Sequence, residues 1–230
     1  MSLKPREPIA QLVHSLGFFG VDAVIDGGAN EGQYAALLRA HGWTGRVVSI
    51  EPIPEVHARL ARRAADDPAW TVLPPMALGA EDGEAVLEVS AESDMSSLRP
   101  QSELLHRISP SSAVTARIPV PVRRLDGLEL PPGPLFLKLD LQGGEAAALE
   151  GAAGLLPRLV GIQLEMALVR LYAGEPLWRE MVDRLEAMGF GLHLLIPGYY
   201  ERKLGRQLQV DGVFYRAQGA AAPAGMGDPP

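Results

Sequence analysis

The chain has 230 residues, of which 47% are hydrophobic and 21% charged, a balance that suits one α/β domain with a substantial buried core. Its formal net charge of -7 argues against a whole-chain electrostatic affinity for nucleic acid. The absence of cysteine excludes disulfides and thiolate metal sites and fits a reducing compartment. No signal peptide and no apolar run of about 18 residues are seen, so the expectation is a cytoplasmic protein without a membrane span.

Ile9, Leu12, Val13 and Leu16 recur at helical spacing, which predicts a short amphipathic lead-in helix over Pro8 to Leu16 within residues 1–20. The main domain is expected over 21–216. Val21 to Asp26 reads as an apolar strand ending on an acid, and Glu31 to His41 as a helix stopped by Gly42. Arg46 to Ile50 is a second strand, and Glu55 to Ala65 a helix. Thr71 to Leu78 is a third strand interrupted by Pro74 and Pro75, and Ala85 to Val89 is a further strand. Ala91 to Ser112 is serine-rich with little periodicity. It predicts a long loop with a helical piece near Leu104 to Ile108, and long loops in such domains are often functional. Ile118 to Leu125 and Leu135 to Leu139 return to strand character. A helix beginning at Glu145 leads to a buried strand over Leu159 to Glu165. Trp178 to Met188 reads as a helix, Gly191 to Ile196 as a strand, and Val210 to Tyr215 as the last strand. From Ala217 to Pro230 the chain is mostly Ala, Gly and Pro, composition expected of a disordered tail. Strands alternating with helices imply a largely parallel sheet covered on both faces.

The first strand runs into Asp26-Gly27-Gly28-Ala29-Asn30-Glu31-Gly32. Glycines here let the backbone turn tightly and approach a ligand. A dinucleotide site wants glycine at the first, third and sixth positions, and Ala29 breaks that pattern. The spacing suits a ligand with a carboxylate, an ammonium and a nucleoside but no phosphate. Asp26 is placed to meet the ammonium, and the amides at the helix start to meet the carboxylate. Glu51, just past the second strand, is placed to accept both hydroxyls of a ribose. Met76 and Ala77 would then lie near the base.

A third motif is Lys138-Leu139-Asp140-Leu141-Gln142-Gly143-Gly144-Glu145, followed by Leu149-Glu150-Gly151-Ala152. Together with the glycine turn and Glu51-Pro52, it resembles the FkbM family of methyltransferases. Ser96-Ser97-Leu98, Leu125-Asp126, Gln163-Leu164-Glu165 and the late Gln209-Val210-Asp211-Gly212-Val213-Phe214 extend the likeness from about Val24 to Arg216. Met76 departs from the family, which often has a polar residue there. Gln142 stands where the family has either Glu or Gln.

The resemblance implies an α/β, Rossmann-like class I methyltransferase, with helices on both faces of a mostly parallel sheet and an antiparallel last strand. It implies S-adenosylmethionine as donor, and a hydroxyl of a sugar, glycolipid or secondary metabolite as acceptor. The expected donor contacts are Asp26, Gly27, Gly28, Ala29, Asn30, Gly32, Tyr34, Glu51, Pro52, Met76, Ala77 and Ser97. A non-catalytic binding module of the same fold is the alternative.

Methyl transfer to an alcohol wants a base at the acceptor oxygen. Asp140 and Glu165 end the fourth and fifth core strands, where an open parallel sheet faces its ligand crevice. Lys138 lies two residues before Asp140 on the same strand face, either as a structural ion pair or in the active site. Glu145 starts a helix and is either a helix-terminus acid or part of the site. Asp140, Glu165 and Asp211 would also suit a hard cation such as magnesium, but their spacing carries no metal signature and no metal site is assigned. Of five scattered histidines, His106 stands out for its place in the serine-rich segment. Tyr199 and Tyr200 are candidates to line a sugar site, and Arg202, Lys203 and Arg206 form a small basic patch.

Overall fold

A computed structural model describes residues 7–216. In chain order the strands are β1 (Ala23–Gly27), β2 (Arg46–Ile50), β3 (Trp70–Val72), β4 (Ala77–Leu78), β5 (Gly83–Ser90), β6 (Val114–Arg123), β7 (Leu135–Leu139), β8 (Leu159–Ala167), β9 (Phe190–Pro197), β10 (Tyr200–Glu201), β11 (Arg206–Gln207) and β12 (Gln209–Arg216). The α-helices are α1 (Pro8–Phe18), α2 (Gln33–Ala40), α3 (Pro54–Ala64), α4 (Glu103–Ile108), α5 (Glu145–Glu150) and α6 (Trp178–Ala187).

Seven strands form the main sheet in the order β3-β2-β1-β7-β8-β12-β9. The first five run parallel. The last strand, β12, is antiparallel to both neighbours and sits between β8 and β9. The central strands β1 and β7 are buried along their whole length, which is why they read as nearly continuous apolar runs.

Side-chain alternation sorts these strands onto two cores. Ile25, Leu137, Leu139, Ile162 and Leu164 face α5 and α6. Val24, Phe136, Val213 and Tyr215 face α1, α2 and α3. Leu12 and Leu16 make α1 part of that second core. By the same period of two, Asp26, Lys138, Gln163, Glu165 and Asp211 all belong to the α1–α3 face. Register makes them neighbours: Asp26 pairs with Lys138, Lys138 with Gln163, and Asp211 with Glu165.

Two sequence expectations change, while the helical piece expected near Leu104 to Ile108 is present as α4. The expected third strand is two strands in different sheets. Pro74 and Pro75 offer no N–H to a ladder, so pairing with β2 stops at Val72 and the chain crosses to a second sheet. The strands expected at Ala85 and Ile118 do not join the main sheet. They are long, and pair as β5 and β6 in a three-stranded side sheet, order β4-β6-β5, with its own small core of Ile53, Val56, Leu87, Val120 and Val122. The serine-rich segment contains α4 and two short 3-10 turns, Ser93–Met95 and Pro110–Ser112. Its serines are held through hydrogen bonds to backbone and side-chain groups. Ser102 caps α4 by accepting from the Leu105 amide, for instance, so the segment shows no hydrophobic period. The expected tail from Ala217 lies outside the described residues.

Candidate active site

A cleft opens at the carboxyl ends of β1, β2 and β7. That is the edge an open parallel sheet uses for ligands. One side is the glycine turn. The amides of Gly28 and Ala29 bond to Ile50 O at 3.1 and 3.0 Å, tying the turn to β2. Gly28 has φ +71°, and a β-carbon there would overlap the Asp140 carbonyl oxygen. The turn and the Asp140 segment therefore touch backbone to backbone, an approach only glycine permits.

Glu51 stands at the end of β2. Its two oxygens accept from the Asn30 amide at 3.0 Å and the Ile53 amide at 2.8 Å. Burial pushes its pKa up to about 7, against the pull of those two amides. Met76, Ala77 and Leu78 form the apolar wall opposite. The serine-rich segment closes one side with Ser93, Asp94, Ser97 and Leu98.

Asp140 enters the cleft from the end of β7. Its Oδ2 is 3.7 Å from Lys138 Nζ, and its Oδ1 accepts from Gln142 Nε2 at 2.7 Å. Lys138 is buried beneath, 3.2 Å from Asp26 Oδ1, and donates to Gly28 O at 3.1 Å. Burial works against its charge, but Asp26 and Asp140 outweigh it and hold the ammonium protonated. Glu165 Oε2 accepts from Gln142 at 2.9 Å and Gln209 at 2.6 Å. Burial first, then Asp140 and other acids, push its carboxyl well above the ordinary range.

The family model described as the methyltransferase FkbM domain matches residues 26–192. The chain belongs to the FkbM methyltransferase family. Among solved structures, it is similar to magnesium protoporphyrin IX methyltransferase (ChlM) from Synechocystis PCC 6803. The identity is 11% over 91% of this chain and 76% of that one, with a TM-score of 0.51. It is also similar to TehB from Haemophilus influenzae, with 6% identity over 90% of this chain and 61% of that one and a TM-score of 0.50. Both likenesses are of fold. No curated protein matches by sequence. The fold is thus the α/β, class I methyltransferase architecture, with its antiparallel last strand.

In this FkbM methyltransferase, Gly28, Asn30, Glu51, Pro52, Met76, Ala77, Ser97 and Asp140 line one cleft. Asp26, Gly27, Ala29, Gly32, Tyr34, Lys138 and Glu165 do not. Asp26 is fully buried, with Lys138 Nζ 3.2 Å from its Oδ1. Gly32, at φ +83°, is packed under Trp70 and Leu60, where it turns the chain into α2. Tyr34 donates to Gln163 at 2.9 Å, with its ring 5.4 Å from the Lys138 ammonium. Glu145 accepts from the Leu141 amide at 2.6 Å, so it closes its own turn; burial pushes it up to about 7.

His106 is exposed on α4 and lines no part of the cleft. Tyr199 packs among Leu105, Ile108 and Tyr172, while Tyr200 and the three cations of the basic patch lie exposed on the β10–β11 hairpin. Asp126 of the Leu-Asp pair holds Arg124 and the Gly154 amide. Among the described residues no three His, Asp or Glu side chains are grouped to hold a metal ion. Sequence reasoning missed Asp94, Ile53 and Leu98 as cleft residues. Gln142, a motif residue, also lines the cleft.

Proposed function

We propose that this chain transfers the methyl group of S-adenosylmethionine to a hydroxyl of a sugar, glycolipid or secondary metabolite. The observation that carries it is the joint opening of Glu51 and Asp140 into one cleft beneath a tight glycine turn. The donor set fits the group. Glu51 uses one lone pair of each oxygen on backbone amides, leaving the others for ribose hydroxyls. Asp94 and Asp140 add negative charge for a cationic sulfonium and ammonium. The apolar wall of Met76, Ala77 and Leu78 suits an adenine face.

S-adenosylmethionine supplies an electrophilic methyl on a sulfonium. With that donor bound, Asp140 would be the group to take the proton of an acceptor hydroxyl, and the methyl group would leave as a methyl ether with S-adenosylhomocysteine as the other product. Of the two acids, Asp140 lines the cleft and Glu165 does not. No Lys or Arg lines the cleft, which favours a small or glycosylated acceptor over nucleic acid.

The test is calorimetric titration of the purified chain with donor and its demethylated product. Methyl-labelled donor is then incubated with free sugars, glycolipids, hydroxylated metabolites and RNA. Labelled methyl ether on a hydroxyl compound supports the proposal. Absence of donor binding overturns it. Donor binding with no transfer to any acceptor would instead point to a binding module.

A further inference from the structure

Gln142 lies where the cleft, the serine-rich segment and the acid pair meet. Its φ is +51°, a conformation uncommon for a residue with a side chain. Four hydrogen bonds converge on it. Nε2 is 2.7 Å from Asp140 Oδ1 and 2.9 Å from Glu165 Oε2. Oε1 accepts from the Tyr172 hydroxyl at 2.6 Å, and the main-chain oxygen accepts from Ser97 Oγ at 2.7 Å. An amide nitrogen carries two hydrogens, so both are engaged, one on each carboxylate. Tyr172 is 1% exposed, and its hydroxyl fixes which end of the amide faces the acids. The Asp140 carboxylate is therefore held from two sides, by Gln142 on Oδ1 and by the Lys138 charge on Oδ2.

We propose that Gln142 is a positioning residue for methyl transfer: oriented by Tyr172, it aims Asp140 into the cleft and separates it from Glu165. The inference rests on Asp140 as the base. Without the amide, two carboxyls would face each other across the space it fills, and such pairs share a proton. Ser97 joins the cleft wall to the same residue, so the wall that meets the donor also sets the base.

Other charges also bear on Asp140: Lys138 on its own strand, Asp26 on β1, Asp94 on the serine-rich segment, Glu145 on α5, Glu165 on β8 and Asp211 on β12. Substitutions that spare these isolate the amide. In Gln142→Met the shape is kept and both hydrogens are lost. Turnover at saturating donor should fall roughly 10- to 100-fold, as for a misaimed group, with donor affinity within about threefold of wild type. Tyr172→Phe should move turnover the same way by less. In Gln142→Glu a third carboxyl meets the first two, so the acidic limb of the pH–turnover profile should move up by about a unit or more. Carboxyl-carbon NMR of Asp140 reads the same shift with no acceptor present. Asp140→Asn is measured alongside. If it stays active, the base assignment fails. If it is inactive while Gln142→Met turns over normally, or the Asp140 titration is unmoved in Gln142→Glu, the positioning role fails.

Discussion

Burial holds the Glu51 carboxyl at a pKa of about 7, so near neutrality it is part protonated. A ribose hydroxyl donates to the charged form and would draw that pKa down. Donor binding should then release a proton, and affinity should rise as pH climbs from about 5 towards 7 and level off above. Calorimetry in buffers of different ionisation enthalpy reads the proton directly; pH-independent affinity would contradict the contact. Glu51→Gln should remove the pH dependence and weaken donor binding by roughly 10- to 100-fold, the scale of a hydrogen bond to a charged group. Turnover at saturating donor should change little, because the ribose contact is the same in ground and transition states.

Asp140→Asn is nearly isosteric and should leave the melting temperature within a few degrees of wild type. Turnover should fall roughly 10²- to 10⁴-fold if the group takes the acceptor's proton. Near-normal turnover would remove Asp140 from the role of base. Gly28 gives the opposite pattern. Gly28→Ala combines a left-handed φ with a collision against Asp140 O, and strained positions of this kind cost about 1–3 kcal/mol before the clash is counted. Thermal melts should show the loss, and a melting temperature equal to wild type would sink the argument.

At the scale of elements, the serine-rich segment divides in two. Its second half is anchored: Leu105 and Ile108 of α4 are buried against Leu171, Tyr172 and Leu208. Its first half, from Ser93 to Leu98, walls the cleft and is held by serine-to-backbone bonds and by a two-way backbone bridge between Ser97 and Glu88. Donor binding should slow amide exchange over 93–98 and leave 103–108 unchanged. Equal slowing across the segment would mean that the whole of it closes as a lid.

The same contrast explains what the sequence made legible. Strands buried on both faces, such as Leu135–Leu139, announce themselves as apolar runs, and their ends put Asp140 and Glu51 at the cleft edge. The side sheet did not announce its separateness. β5 and β6 have ordinary strand composition, and only the three-dimensional path after Pro74 and Pro75 decides which sheet they join. Strand periodicity puts Glu165, Lys138 and Asp26 on one face of the sheet, which is legible in the sequence. Their withdrawal from the cleft depends on depth, which periodicity does not encode. Gln142 was illegible as a hub because its partners, Tyr172 and Ser97, lie 30 and 45 residues away.

Across the whole molecule, the carboxyl ends of the sheet collect acids that burial pushes up: Asp211 to about 6, Glu51 and Glu145 to about 7. Each folded pKa lies above its unfolded value, so the folded state binds protons more tightly. The associated stability is complete below about pH 4 and is lost as pH rises through 6 and 7. The unliganded protein should melt at higher temperature at pH 5.5 than at pH 8, by about 2–4 °C for each kcal/mol involved. Saturating donor should narrow that gap, because it favours charged Glu51. A melting temperature that rises between pH 5.5 and 8 would contradict the linkage.

The insertion of β12 between β8 and β9 has a consequence for biosynthesis. Every other strand of the sheet leaves the ribosome before Gln209–Arg216 does, yet among the described residues β9 has no sheet partner except β12. A nascent chain that has emerged only through Pro197 presents the open edge of β8 and a wholly unpaired β9, both able to pair with another chain. The order of emergence thus leaves the sheet unfinished until its last strand is made. Translational stalling between residues 197 and 209 would hold the chain at its most aggregation-prone point.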